Sequence, residues 1–233
     1  MRTSPRTKAV AGAATVALAL SLGAAVAAPA GATETGIAAI KTAAHDAIHE
    51  RVVALDAASA VVDHSAFMGS DQAQRIGVMK GDVTALQQLD DRIQADTTVA
   101  QAKADAAKIF TDYRVFALVL PVTHLTRAAD AVTKVAGPEL GDKVAPKLQA
   151  AITKRGATDL QPLLDDLEAK VKAAEDAAQP VPAQTEALSP ADWNANHDVL
   201  SGPRASIETA RTDLRQARDD ARKIVAALKQ RQS

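Results

Sequence analysis

Apolar residues recur at steps of three and four in segment after segment of this 233-residue chain, a spacing that puts them on one face of a helix. Ile37, Ile40, Ala44, Ala47, Ile48, Leu55, Ala58 and Val62 form one such stripe, which predicts a helix over about 35–62. A second, Ile76, Met79, Val83, Leu86, Ile93 and Ala100 with Asp90 and Thr97 as polar members, follows a turn over 64–70. Gly77 and Gly81 weaken that helix intrinsically, and close approach of a neighbour is expected to compensate. Leu160, Leu163, Leu164, Leu167, Val171 and Ala174 mark a third, and Ile207, Ala210, Leu214, Ala217, Ala221, Ile224 and Leu228 a heptad-like seam in the last. The fold class these stripes predict is all-α, an antiparallel helical bundle with coiled-coil-like segments.

Much of the apolar content is alanine, which favours helix but buries little surface, so the helices must lie close around a thin core. With no cysteine in the chain, stability rests on packing alone. Its only aromatic residues are Phe67, Phe110, Tyr113, Phe116 and Trp193. That scarcity argues against an aromatic-lined ligand pocket and against a stacking platform for single-stranded nucleic acid.

The first 32 residues have the order of a secretory signal peptide: Arg2, Arg6 and Lys8, an apolar run from Ala9 to Ala28, then small residues. Cleavage is expected after Ala27, Ala30 or Ala32, with Ala32 preferred. Removal takes three basic and no acidic residues from totals of 27 and 28, giving 24 − 28, a formal charge of about −4. Such a balance predicts no general attraction to nucleic acid. No later segment has the roughly 18 consecutive apolar residues of a transmembrane helix. The expected location is secreted or envelope-associated, outside the cytoplasmic membrane. The expected organisation is a bundle over 33–179, a Pro-containing linker over 180–189, and C-terminal helices over 190–233 that pack on the bundle.

Residues 99–136 form the least ordinary stretch, apolar on every side between Val115 and Val122. A buried helix is predicted, kinked or broken near Pro121 and ended by Gly137-Pro138. Strand is the rival for 113–120, but its helical flanks offer no sheet partner.

Three patterns bear on chemistry. His45 and His49 stand four apart on one helix, close enough to share a divalent ion, in a sequence resembling the HExxH metalloprotease helix with Asp46 in place of Glu. No third ligand accompanies them, and both flank the apolar stripe, so a solvated helix face is the leading reading and no cofactor is expected. Tyr113, Arg114, His124, Arg127 and Asp130 are polar residues set into the apolar stretch on both sides of Pro121. They are the best candidates for catalysis by a hydrolase, but structural pairing within the bundle is the leading reading, and Arg127 and Asp130, three apart, are spaced to pair with each other. Arg204, Arg211, Arg215, Arg218, Arg222 and Lys229 fall on one strip of the final helix. Ion pairs with acidic neighbouring helices are the ordinary use of such a strip. The alternative is a protein partner or an anionic envelope component held by Arg211, Arg215, Arg218 and Arg222.

Residues 95–130, with the phrase DYRVFALVLP, and residues 188–229, LSPADWNANHDVLSGPRASIETARTDLRQARDDARKIVAALK, resemble a group of exported helix-rich proteins of high-GC actinobacteria. The resemblance implies export and helicity. It assigns no functional residue. A non-enzymatic interaction protein is therefore the expected class, ahead of the hydrolase.

Overall fold

A computed structural model describes residues 30–231; the expected signal peptide lies almost wholly outside them. Among the described residues there is no strand, and the molecule is an all-α helical bundle. Helix α1 (Ala30–Asp63) turns through a short 3-10 segment, Ala66–Met68, into α2 (Ser70–Ala95). Gly69 takes a left-handed φ of 59° at this turn, where a Cβ would be strained. Helix α3 (Val99–Thr111) begins on Thr98, whose side chain accepts the Gln101 backbone N–H at 3.2 Å. Together α1, α2 and α3 enclose one core in which Leu55, Met79, Leu86, Leu89, Ile93 and Ile109 are fully buried. Leu89, rather than its neighbour Asp90, continues the α2 stripe into this core, and Asp90 turns out to meet His45.

The chain breaks next at 112–114, earlier than Pro121 suggested. Arg114 adopts a left-handed φ of 44°. Asn194 secures the corner: it accepts a hydrogen bond from Arg114 Nε at 2.6 Å and donates from Nδ2 to the Thr111 carbonyl at 2.9 Å.

From Val115 to Arg155 the backbone stays helical, so Gly137-Pro138 does not end the helix. Helices α4 (Leu120–Ala131) and α5 (Ala145–Arg155) are joined through π-helical turns at Val132–Ala136 and Glu139–Val144, and another at Val115–Val119 precedes α4. In each case the residue before a proline donates to the carbonyl five back: Leu120 to Val115, Gly137 to Val132, Ala145 to Leu140. Pro121, Pro138 and Pro146 follow directly. A proline inside an α-helix lacks a donor and crowds the carbonyl four back. Widening the preceding turn accommodates the ring without breaking the rod. The most apolar 18-residue window within 99–155 is 56% buried against the rest of the protein, as befits a core helix.

Beyond Gly156, left-handed at φ 61°, and a 3-10 turn at Thr158–Leu160, helix α6 (Gln161–Ala178) pairs with the last long helix, α9 (Ser201–Gln230). Leu164, Leu167, Val171 and Ala174 meet Ile207, Ala210, Leu214, Ala217, Ile224 and Leu228 in a second core closed by α4, α5 and the π turns. The stretch expected as a linker, 180–189, instead carries helix α7 (Val181–Glu186), docked by buried Val181 and Thr185. The Thr185 hydroxyl lies 3.4 Å from that of Thr126 on α4. A short α8 (Pro190–Ala195), begun by a capping box between Ser189 and Asp192, brings Trp193 to a small cluster with Leu118, Val122 and Leu200.

Candidate functional site

The polar residues set into the long rod do not converge on one point. Tyr113 donates from its hydroxyl to the Ala85 carbonyl at 3.2 Å, across on α2. Burial pushes its phenol upward. Arg127 and Asp130 do not pair with each other; each finds a different partner within the bundle. Arg127 donates from Nε to Ser65 Oγ at 2.8 Å and lies over the Phe67 ring, 5.6 Å from its centroid. Asp130, only 2% exposed, binds Lys134 Nζ at 2.6 Å. The same ammonium donates to the Met68 carbonyl at 2.9 Å and lies 3.5 Å from Asp71. Burial, with Asp71 close by, raises the Asp130 carboxyl despite its lysine. A helix turns about 100° per residue, so positions 127 and 130 diverge by about 60°. Arg127 therefore reaches the α1–α2 turn while Asp130 points inward.

His45 and His49 also separate in role. His45 Nδ1 meets Asp90 Oδ2 at 2.6 Å, tying α1 to α2, and this carboxylate raises its pKa. His49 is exposed. Among the described residues no group of three or more His, Asp or Glu side chains is placed to hold a metal ion.

What does come together is a pair that looked unrelated in the sequence. His124 and Arg127 of α4 face Arg211, Arg215 and Arg218 of α9 across an open groove of about 730 Å³. Its floor is apolar and mostly small: Ala128, Ala131, Val132, Ala136 and Leu214. Glu208 is its single carboxylate against four guanidinium groups. Arg215 is tethered within α9, to Glu208 at 3.4 Å and to Thr212 Oγ at 3.0 Å. Among the described residues, the Arg211 and Arg218 side chains make no ion pair. The expected pairing of the strip with acidic neighbouring helices therefore does not form. Arg222 pairs with Asp219 on its own helix at 2.9 Å, and with Lys229 it borders a separate, shallower depression around Val225. The basic strip is thus divided, with Arg211, Arg215 and Arg218 in the groove and Arg222 outside it.

Another arginine has an arrangement no sequence pattern announced. Arg51 is buried with its guanidinium over Phe110 and Phe116, 4.7 and 5.1 Å from the ring centroids, and donates to the Ala47 carbonyl at 2.8 Å. The two rings shield the charge in place of a carboxylate. Both stay largely exposed in doing so.

Fold and groove together define a class: an all-helical protein with an arginine-walled, alanine-floored channel between two helices. No protein-family model, curated protein or solved structure matches the chain.

Proposed function

We propose that this is an exported, non-enzymatic interaction protein that grips an acidic partner in the groove between α4 and α9. One observation carries the reading: among the described residues Arg211 and Arg218 make no ion pair, and they stand beside Arg127 and Arg215 around a floor of small apolar side chains. Like charges gathered without counter-ions repel one another, and an anionic ligand relieves that repulsion. Guanidinium forks suit carboxylates, each able to engage one in two parallel hydrogen bonds. The groove is open and lined largely by arginines and alanines, with no Phe, Tyr or Trp, which favours a partner's surface over an enclosed small molecule.

Export is supported by the basic start, apolar run and small-residue exit of residues 1–32, and by the resemblance of 95–130 and 188–229 to exported actinobacterial proteins. Mass spectrometry of extracellular protein is expected to find a mature N-terminus between Ala28 and Thr33. Intact Met1 peptides in that fraction would overturn it.

The groove is tested by titrating the chain with polyglutamate. Arg211→Ala combined with Arg218→Ala is expected to weaken binding at least ~10-fold, since hydrogen bonds to charged groups contribute about 1.5–3 kcal/mol each. Arg222→Ala, outside the groove, leaves it nearly unchanged. Equal losses from both variants would show that general charge, rather than this groove, binds the probe.

A further inference from the structure

We infer that the groove's partner is a second copy of this chain, which docks the outer face of its α1. This rests on the groove reading above and names its occupant.

The two most exposed large apolar side chains among the described residues are Val53 and Val61, 53% and 51% accessible, and both belong to α1. At about 100° per residue, Asp46, Glu50, Val53, Ala57 and Val61 fall within an arc of about 80°. That arc is opposite the buried stripe of Ala44, Ile48, Leu55 and Val62. Asp56 flanks it, also exposed. No lysine or arginine stands on this outer face between 46 and 63, because the one arginine there, Arg51, is buried beneath Phe110 and Phe116. The helix thus offers solvent an acidic ridge with an apolar crest.

The groove is its complement in shape and charge. From Glu208 to Arg218 the α9 wall runs about 15 Å, and from Asp46 to Val61 the ridge runs about 22 Å, at 1.5 Å per residue. Small residues on the floor let a docking helix approach closely and give Val53 and Val61 an apolar seat. Asp46, Glu50 and Asp56 then meet the arginines left without partners. An extended polyanion would satisfy those arginines but leave the alanine floor unused, so the floor favours an amphipathic helix.

The alternatives within a homodimer fail on charge. Pairing α1 with α1 sets carboxylates against carboxylates, and pairing groove with groove sets arginines against arginines. What remains is ridge in groove, either reciprocally in a two-fold dimer or head-to-tail, where each copy uses its ridge on one neighbour and its groove on another. The first closes at two copies; the second builds open chains or closed rings. A contact only a few helical turns long belongs with weak interfaces, so assembly should depend on concentration and fall with added salt.

The test is sedimentation velocity and light scattering of the chain over a concentration series at low and high salt. The expected result is a weight-average mass that rises with concentration and returns toward the monomer in salt. Asp46→Lys with Glu50→Lys removes the ridge, and Arg211→Glu with Arg218→Glu removes the groove charge; each pair abolishes self-association. All four positions are exposed, and circular dichroism of each variant checks that it folds. The milder Arg211→Gln with Arg218→Gln weakens assembly in the same direction. When the two charge-reversed proteins are mixed, the reversed ridge meets the reversed groove in one orientation, while the intact ridge of one and intact groove of the other join in the opposite one. Association must therefore reappear in the mixture. A wild-type chain that stays monomeric throughout, variants that still assemble alone, or a mixture that stays monomeric overturns the inference. Polyglutamate binding with a monomeric chain would leave the groove reading standing and remove only the self-docking.

Discussion

Asp82 is a carboxyl on α2 that burial alone pushes up to about 6, against about 3.9 in an unfolded chain. A raised carboxyl means that the folded state binds the proton more tightly. Its charged form therefore costs stability above pH 6, and the cost fades as pH falls toward 4. Asp82→Asn is expected to raise the melting temperature at pH 8 and leave it nearly unchanged at pH 4. The full shift corresponds to roughly 3 kcal/mol; solvent around a partly exposed side chain reduces the expected gain to about 1–2 kcal/mol. The glycines divide just as sharply. Neither Gly77 nor Gly81 has any neighbour within 4 Å of where a Cβ would stand, so no packing against another helix compensates for them, contrary to expectation. Replacing either with Ala should stabilise the protein by about 1 kcal/mol, the helix-propensity difference. At Gly137 the same methyl would meet the Glu175 side chain, with Cδ and Cγ 2.8 Å away; that side chain must swing aside, so Gly137→Ala should forfeit the gain expected at the other two. Thermal melts of the three variants decide this. Sequence alone does not distinguish these glycines, because what separates them is the identity of the helix across the gap.

At the scale of the helix, α9 separates burial from charge within one turn. Leu214 is buried in the second core and forms part of the groove floor, while Arg215 is exposed and bonded only within its own helix. Leu214→Ala should cost about 2–5 kcal/mol, and Arg215→Ala about 0–1 kcal/mol, a contrast that chemical denaturation resolves. The stripes on α1, α6 and α9 were legible because a regular helix repeats its buried face in the sequence. The rod from Val115 to Arg155 was not. Pro121, Gly137-Pro138 and Pro146 are breaking signals in an α-helix, and only the wider π turns before each proline keep the backbone helical. The site was half legible for a similar reason. Arg211, Arg215 and Arg218 stand out as a strip, and His124 and Arg127 as misplaced polar residues. That they share a groove depends on how α4 lies beside α9, which no periodicity encodes. The alanines at 128 and 131 carried a signal, since they fall on the face of His124 and Arg127, but in an alanine-rich chain that signal is faint, and Ala136 joins them only through the phase shift of the π turn.

Across the whole molecule two hydrophobic cores are joined by the rod, and Lys134 pins the joint. Its ammonium holds Asp130 on the rod and the Met68 carbonyl and Asp71 at the start of α2. Lys134→Ala leaves the buried Asp130 carboxylate without its cation and should cost about 1–3 kcal/mol at neutral pH. The loss should shrink in acid, where Asp130, already raised by burial, takes up a proton. Calorimetry at two pH values measures both, and separation of the single transition into two would mark the cores coming apart. The three π turns carry a further consequence, one of phase. Each wide turn holds about one residue more than an α-turn, so the rod's angular clock slips by about 100° at each bulge before the next face is laid down. Deleting one residue from Val132–Ala136 together with Pro138→Ala would let the turn close to α geometry and leave everything downstream in register with its neighbours. The same deletion inside α6 or α9 would rotate every later side chain away from the core. Tolerance of lost residues should therefore be greatest at the very places where prolines seem to forbid a helix.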